Sequence, residues 1–130
     1  MKIPTREELS TVIENAIQAG NKTADKAYAS LPHRLKSGEP WGDPGGAFLI
    51  LEADGRTKIG KFVISLINDP IPNLVVERNY VYYGGGYFLR LRYPPTPYQT
   101  RSVFEAREQA AAKVISDAFG WTLRVHDFGD

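Results

Sequence analysis

Apolar positions along this chain follow two periods. Near the N-terminus Leu9, Val12, Ile13, Ala16 and Ile17 recur at helical spacing. Thr5 and Glu8 stand ahead of them as a T-x-x-E capping box, in which each side chain takes up a free backbone amide at the helix start. Gly20 marks the expected stop. A second helical piece is expected over about 22–29, burying Ala24, Ala27 and Tyr28 with Leu31 before Pro32 ends it. Toward the C-terminus Val103, Ala106, Ala110, Ala111, Val114, Ile115 and Ala118 form another helical stripe. Ser102 and Glu105 open it as a second capping box and Gly120 closes it.

Between these helices the reading is of strands. The apolar run from Ala47 to Glu52 predicts a buried strand, and Asp54–Gly55 is a type I′ hairpin signal, a turn needing positive φ at both central residues. Lys58 to Ile67 then reads as the return strand, with Phe62, Ile64 and Leu66 alternating with Lys61, Val63 and Ser65. Asn68 to Asn73 is a turn region rich in proline and asparagine. Leu74–Tyr83 and Tyr87–Tyr93 form a second hairpin around Gly84–Gly85–Gly86, ended by Pro94–Pro95–Thr96–Pro97. Trp121, Leu123 and Val125 alternate with Thr122, Arg124 and His126 in a final strand. The expected fold is α+β and two-layered: an antiparallel, four- to five-stranded meander sheet with N- and C-terminal helices packed on one face. The other face is left to water or a partner.

That second hairpin carries the main functional hint. With Tyr83 opposite Tyr87, Tyr82 faces Phe88, Tyr80 faces Arg90 and Arg78 faces Arg92. One face of the ribbon is then aromatic and basic, and the other carries Val81, Leu89 and Leu91 toward the core. Arg78, Tyr80, Tyr82, Phe88, Arg90 and Arg92 are the candidate contact residues. Two arginines directly opposite each other cost stability unless an anion lies nearby, either Glu77 or Glu52 or a ligand phosphate. A one-residue slip would send half of the set to the other face, and tyrosine and phenylalanine are also simply good strand formers. Trp41, within the Gly- and Pro-rich loop over 32–46, is a further loop contact or a pin to the core.

With 130 residues the chain is expected to form one domain over 1–130. Its 16 basic and 15 acidic residues leave a formal charge of +1, so bulk attraction to nucleic acid or anionic membrane is not expected and any anion site is local. No cysteine is present, which excludes disulfides, thiolate zinc sites and a cysteine nucleophile and fits a cytoplasmic setting. The start of the chain is charged without an apolar h-region, and no apolar run approaches a membrane span. Two isolated histidines, His33 and His126, make no metal-ligand spacing, and no serine carries an elbow motif. No catalytic residue, metal or cofactor is assigned. Arg101 and Arg107, at the start of the last helix, are a weaker anion candidate, offset by Glu105 and Glu108.

Gly46–Ala47–Phe48–Leu49–Ile50–Leu51–Glu52 resembles the G-x-F-L-V-R-E strand of phosphotyrosine-binding SH2 domains. Leu51 stands where that motif has its phosphate-binding arginine, so the family's function does not carry over. The helix–sheet–helix layout is also similar to that of frataxin-like domains and type III secretion chaperones, without the acidic ridge of the first or the acidic composition of the second. No family membership follows. The reading is a small non-enzymatic binding module, an adaptor, inhibitor or self-associating subunit, using the aromatic and arginine face for protein–protein interaction. One alternative is a nucleotide or single-stranded nucleic acid stacked on the same face. Another is an enzyme whose carboxylates, among Glu52, Asp54, Asp69 and Glu77, converge in space.

Overall fold

The computed structural model describes residues 2–31, 45–79, 85–96 and 100–129. Its elements are α1 (Arg6–Ala29), β1 (Gly45–Leu51), α2 (Lys58–Asn68), β2 (Leu74–Arg78), β3 (Tyr87–Leu91), α3 (Arg101–Phe119) and β4 (Leu123–Gly129). The fold is α+β as expected, with α1 and α3 packed on a four-stranded antiparallel sheet.

α1 begins at the predicted capping box. The Thr5 hydroxyl accepts from the Glu8 amide at 3.1 Å, and the Glu8 carboxylate accepts from the Thr5 amide at 3.2 Å. The helix does not stop at Gly20 but runs unbroken for 24 residues, absorbing the separate piece expected over 22–29. Gly20 lies on the buried stripe Leu9, Ile13, Ala16, Gly20, Ala24. A Cβ there would stand 2.8 Å from the Tyr93 hydroxyl and 3.0 Å from the Arg107 carbonyl oxygen. The glycine is spent on close helix approach, not on termination. α3 likewise starts at Thr100, which makes no side-chain cap bond, so Ser102 lies inside the helix and the second capping box does not form. Gly120 ends α3 in the left-handed region, as predicted, at φ 69°.

The largest correction follows β1. Lys58–Asn68 is a helix, not a return strand, and Asp54–Gly55 is not a hairpin turn. Gly55 does not have positive φ, whereas a type I′ turn needs it. Instead the Asp54 carboxylate accepts from the Arg56 amide at 2.9 Å, and the Asp54 carbonyl accepts from both the Thr57 amide and hydroxyl, at 3.0 and 2.7 Å. Thr57 then caps α2 by accepting from the Gly60 amide at 3.1 Å. Ile59, Gly60, Val63 and Leu66 form its buried side. The β-branched residues favour a strand locally, but a cap at one end and a helical stripe against the sheet outweigh that weak preference.

This helix sets the strand order, β2-β3-β1-β4. β1 is linked to β2 through α2, and β3 inserts between them. β3 is linked to β4 through α3, and β1 sits between those two. Two interlocked split β-α-β units result. Leu49, Leu51, Leu74, Val76, Leu89 and Leu91 face the helices and meet Leu9, Ile13, Val63, Leu66 and Ile115 in one core. Each such side chain contributes about 1.5–3 kcal/mol on burial, so a one-residue slip of β1 would be expensive, and the register is firmly held. Trp121 closes one end: its ring lies 5.2 Å from Phe119, and its indole N–H donates to the Lys2 carbonyl at 2.9 Å.

Because a Cβ at Gly60 would lie 2.0 Å from the Asp54 carbonyl oxygen, Gly60→Ala must push the β1–α2 turn away from the helix. The expected loss is about 1–3 kcal/mol despite alanine's better helix propensity. Urea denaturation checks it, and an unchanged or raised midpoint would contradict this account of the turn.

Candidate functional site

Alternation along the strands turns a second set of side chains away from the helices. These are Gly46, Phe48 and Ile50 on β1, Val75 and Glu77 on β2, Phe88 and Arg90 on β3, and Arg124, His126 and Phe128 on β4. One row across the sheet runs Glu77, Phe88, Ile50, Arg124, each beside the next. His126 lies beside Phe48, and Phe128 beside Gly46.

Phe48 is the hub of this face. Its ring meets Phe88 edge-on at 4.7 Å, stacks with His126 at 5.2 Å and leans on Phe128 at 5.6 Å. The Arg90 guanidinium lies 5.8 Å from the Phe48 ring centre and 5.9 Å from that of Phe88. Gly46 makes room for the cluster, since a Cβ there would stand 2.6 Å from the Phe128 ring. Phe48 and Phe88 are half-buried, Ile50 is buried, and Phe128 is 42% exposed.

The charges around the rings are paired. Arg90 reaches Glu77 at 3.2 Å, and Arg124 reaches Glu52 at 3.1 Å. On the helix side Asp127 accepts from Arg101 at 2.8 Å, which holds the Asp127 carboxyl below the usual carboxylate range. His126 and Asp127 thus point to opposite faces, as neighbours on a strand must.

Of the sequence-predicted residues, Phe88 and Arg90 lie together on this face, and Arg92 follows them at the end of β3, where its amide donates to the Asn73 carbonyl at 2.9 Å. Arg78 does not join them. The observed β2–β3 register pairs Arg78 with Tyr87, Glu77 with Phe88 and Val75 with Arg90. Relative to the expected pairing this is a shift of five residues, an odd number, so Arg78 shares the alternation of Val76 and Leu74. The connection fixes it: the Asn79 amide donates to the Gly86 carbonyl at 3.0 Å and the Asn79 side-chain amide to the Gly85 carbonyl at 2.7 Å, which sets Asn79 against the glycines in the same register. Arg78 and Arg92 therefore do not oppose each other, and the anion once inferred from that pair is not required. Tyr80, Tyr82 and Trp41 lie outside the described residues. Glu77, named from the sequence as an anion for the ribbon's arginines, pairs with Arg90, whereas Phe48, His126, Phe128 and Arg124 were missed. Their signal was the alternation in β1 and β4, but only the sheet order brings those strands to Phe88.

The weaker candidates resolve differently. Glu52, Asp54, Asp69 and Glu77 each pair with a different arginine: Arg124, Arg56, Arg6 and Arg90. Among the described residues no three His, Asp or Glu side chains form a metal-binding group. Arg107 does not await an anion: it lies 3.4 Å from Glu108, and its guanidinium covers the Tyr93 ring at 3.8 Å. Glu108 is buried beside it. Burial pushes its carboxyl up to about 7 against the opposing pull of Arg107. Burial also raises the Tyr93 hydroxyl, which makes no hydrogen bond of ordinary geometry; Glu108 Oε2 and Arg107 Nε are likewise unmatched. Tyr93 lines a groove of about 470 Å³ with Glu14, Ile17, Gln18, Asn73, Arg92 and Pro94, but Glu108 and Arg107 are not in its wall. The buried carboxyl belongs to the α1–α3 contact and does not line that groove.

No protein-family model matches this chain, and neither a curated protein nor a solved structure shows significant similarity to it. Among the described residues no helix is long and apolar enough to cross a membrane.

Glu108 makes a pH prediction whose sign is opposite to that of a salt-bridged carboxylate. Burial raises its pKa from 4.5 to about 7 on folding, so between those values the folded chain holds a proton that the unfolded chain has released. Stability then falls as pH rises through this window, by at most about 3 kcal/mol, and is level above it. Glu108→Gln, neutral at every pH, is expected to remove that fall and to exceed the wild type above about pH 7. Urea midpoints across the window check it; parallel wild-type and variant profiles would place the Glu108 carboxyl at an ordinary acidity.

Proposed function

We propose that this chain is a small binding module that docks a protein partner on its outer sheet face, in a cytoplasmic setting consistent with the absence of cysteine. One observation carries the reading: a half-exposed cluster of Phe48, Phe88, His126 and Phe128 with Arg90 against two of its rings, flanked by arginines that already have carboxylate partners. Aromatic side chains and arginine are the types that dominate protein hot spots, while a ring of satisfied polar groups suits an interface rim. Arg90 and Arg124 add little attraction for phosphate, because Glu77 and Glu52 stand beside them.

A second reading is a nucleotide or single-stranded nucleic acid on the same face. Phe48 and Phe88 are adjacent on the two central strands, the place where a sheet offers bases a stacking platform. Against it, the rings are engaged edge to face with one another, and Glu77 and Glu52 already stand beside the arginines that would meet a phosphate backbone.

Capture from native extract separates the two. The expected catch is protein, retained at moderate salt and lost from Phe128→Asp combined with Arg90→Ala. The thermal midpoint should move by only a few degrees, since both side chains are about half exposed. Retention of the same partner by the double variant would sink the reading. A catch of nucleic acid whose binding falls by about 10³-fold or more between low and physiological salt would favour the second.

A further inference from the structure

We propose that the partner seated on the outer face is a second copy of this chain, docked face to face about a two-fold axis that runs parallel to the strands between β3 and β1. The inference rests on the reading of that face as a protein-docking surface and names its occupant.

The row Glu77, Phe88, Ile50, Arg124 carries a carboxylate at the β2 end and a guanidinium at the β4 end. Both are accessible, with side chains 47% and 34% exposed. A two-fold axis along the strands lays β2 over the second copy's β4 and β3 over its β1. Glu77 then faces the second copy's Arg124, and the same contact repeats on the other side, as a self-complementary interface requires. Arg90 comes over the second copy's Phe48 ring, a cation–π contact of the kind it already makes within its own chain. Turning the axis by a right angle, along the row, would instead set Glu77 on Glu77 and Arg124 on Arg124, and like charges so placed disfavour that docking. Aligned sheet packing of the first kind is also the ordinary geometry for two sheets meeting face to face.

Area sets the strength. Four strands at about 4.8 Å spacing and about 20 Å of strand length limit the footprint to roughly 400 Å² at most, since Ile50 in the middle of the row is already buried within the single chain. A stable specific interface buries about 800 Å² per partner, so the expected dimer is weak and concentration-dependent.

The test is sedimentation of purified full-length protein, alone and in mixtures. Wild type is expected to shift from monomer toward dimer between about 10 µM and about 1 mM. Glu77→Arg and Arg124→Glu, each alone, place two like-charged pairs across the interface and are expected to weaken dimerisation by about tenfold or more. An equal mixture of the two variants restores both opposite-charge pairs in one heterodimer and is expected to return to near wild-type association. Each variant also loses its own intramolecular ion pair, but the mixture keeps that loss, so recovery reports contact between copies. Circular dichroism and thermal midpoints confirm that each variant is folded before mixing. Wild type that stays monomeric throughout overturns self-association, as does a dimer indifferent to both variants. Neither result decides the broader reading of the face, which the extract capture with Phe128→Asp and Arg90→Ala tests separately.

Discussion

The architecture depends on the way the chain leaves β1. Thr57 caps α2 on the Gly60 amide, and Gly60, lacking a side chain, lets the first turn of the helix rest against the Asp54 carbonyl. The chain therefore leaves the sheet instead of folding back beside β1. Both edges of β1 stay open for strands that come later, β3 on one side and β4 on the other. A hairpin at Asp54–Gly55 would have filled one edge with residues 58–67 and displaced β3. Phe88 and Arg90 would then have had no Phe48 beside them. The outer aromatic cluster is thus a distant consequence of one helix cap and one close contact.

Local signals were readable where a single interaction decides them. The Thr5–Glu8 box opens α1, Gly120 closes α3, and the apolar run at β1 is a strand, each through chemistry contained within a few residues. Reading failed where the decisive contact was remote. Nothing near Gly20 tells a helix stop from a helix crossing; the reason for that glycine lies in Tyr93 and Arg107, far along the chain. Residues 58–68 fit both periods, because Phe62, Ile64 and Leu66 alternate while Ile59, Val63 and Leu66 follow a helix. The tie was broken by Thr57, whose capping role is hidden when Asp54–Gly55 is taken for a turn.

The candidate site was half legible for the same kind of reason. That Phe88 and Arg90 share an outward face follows from alternation within one strand and holds in any register. Which residues join them depends on pairing, and pairing depends on where a loop closes. Asn79 closes the β2–β3 ladder on Gly86, so the register differs by an odd number and Arg78 leaves the set. The residues that replaced it, Phe48, His126 and Phe128, sit on strands far from the hairpin in sequence. No local pattern could have joined them to it.

Electrostatics then distinguishes the two faces of the sheet. Exposed ion pairs such as Glu77–Arg90 and Glu52–Arg124 contribute little to folding, about 0–1 kcal/mol each, so the fold would persist without them. What they change is the character of the outer face: its arginines keep their planar, ring-stacking surface but lose most of their long-range pull on anions. On the helix side the balance is reversed. Glu108 is buried beside one guanidinium that only partly offsets its desolvation, and its acidity shifts accordingly. That arrangement makes stability respond to proton concentration. The perturbed titratable group and the accessible aromatic cluster are therefore on opposite sides of the same sheet. A strongly shifted carboxyl is often a pointer to a functional site, but in this chain it sits in the helix packing, and the exposed aromatic face is the one whose charges are already balanced.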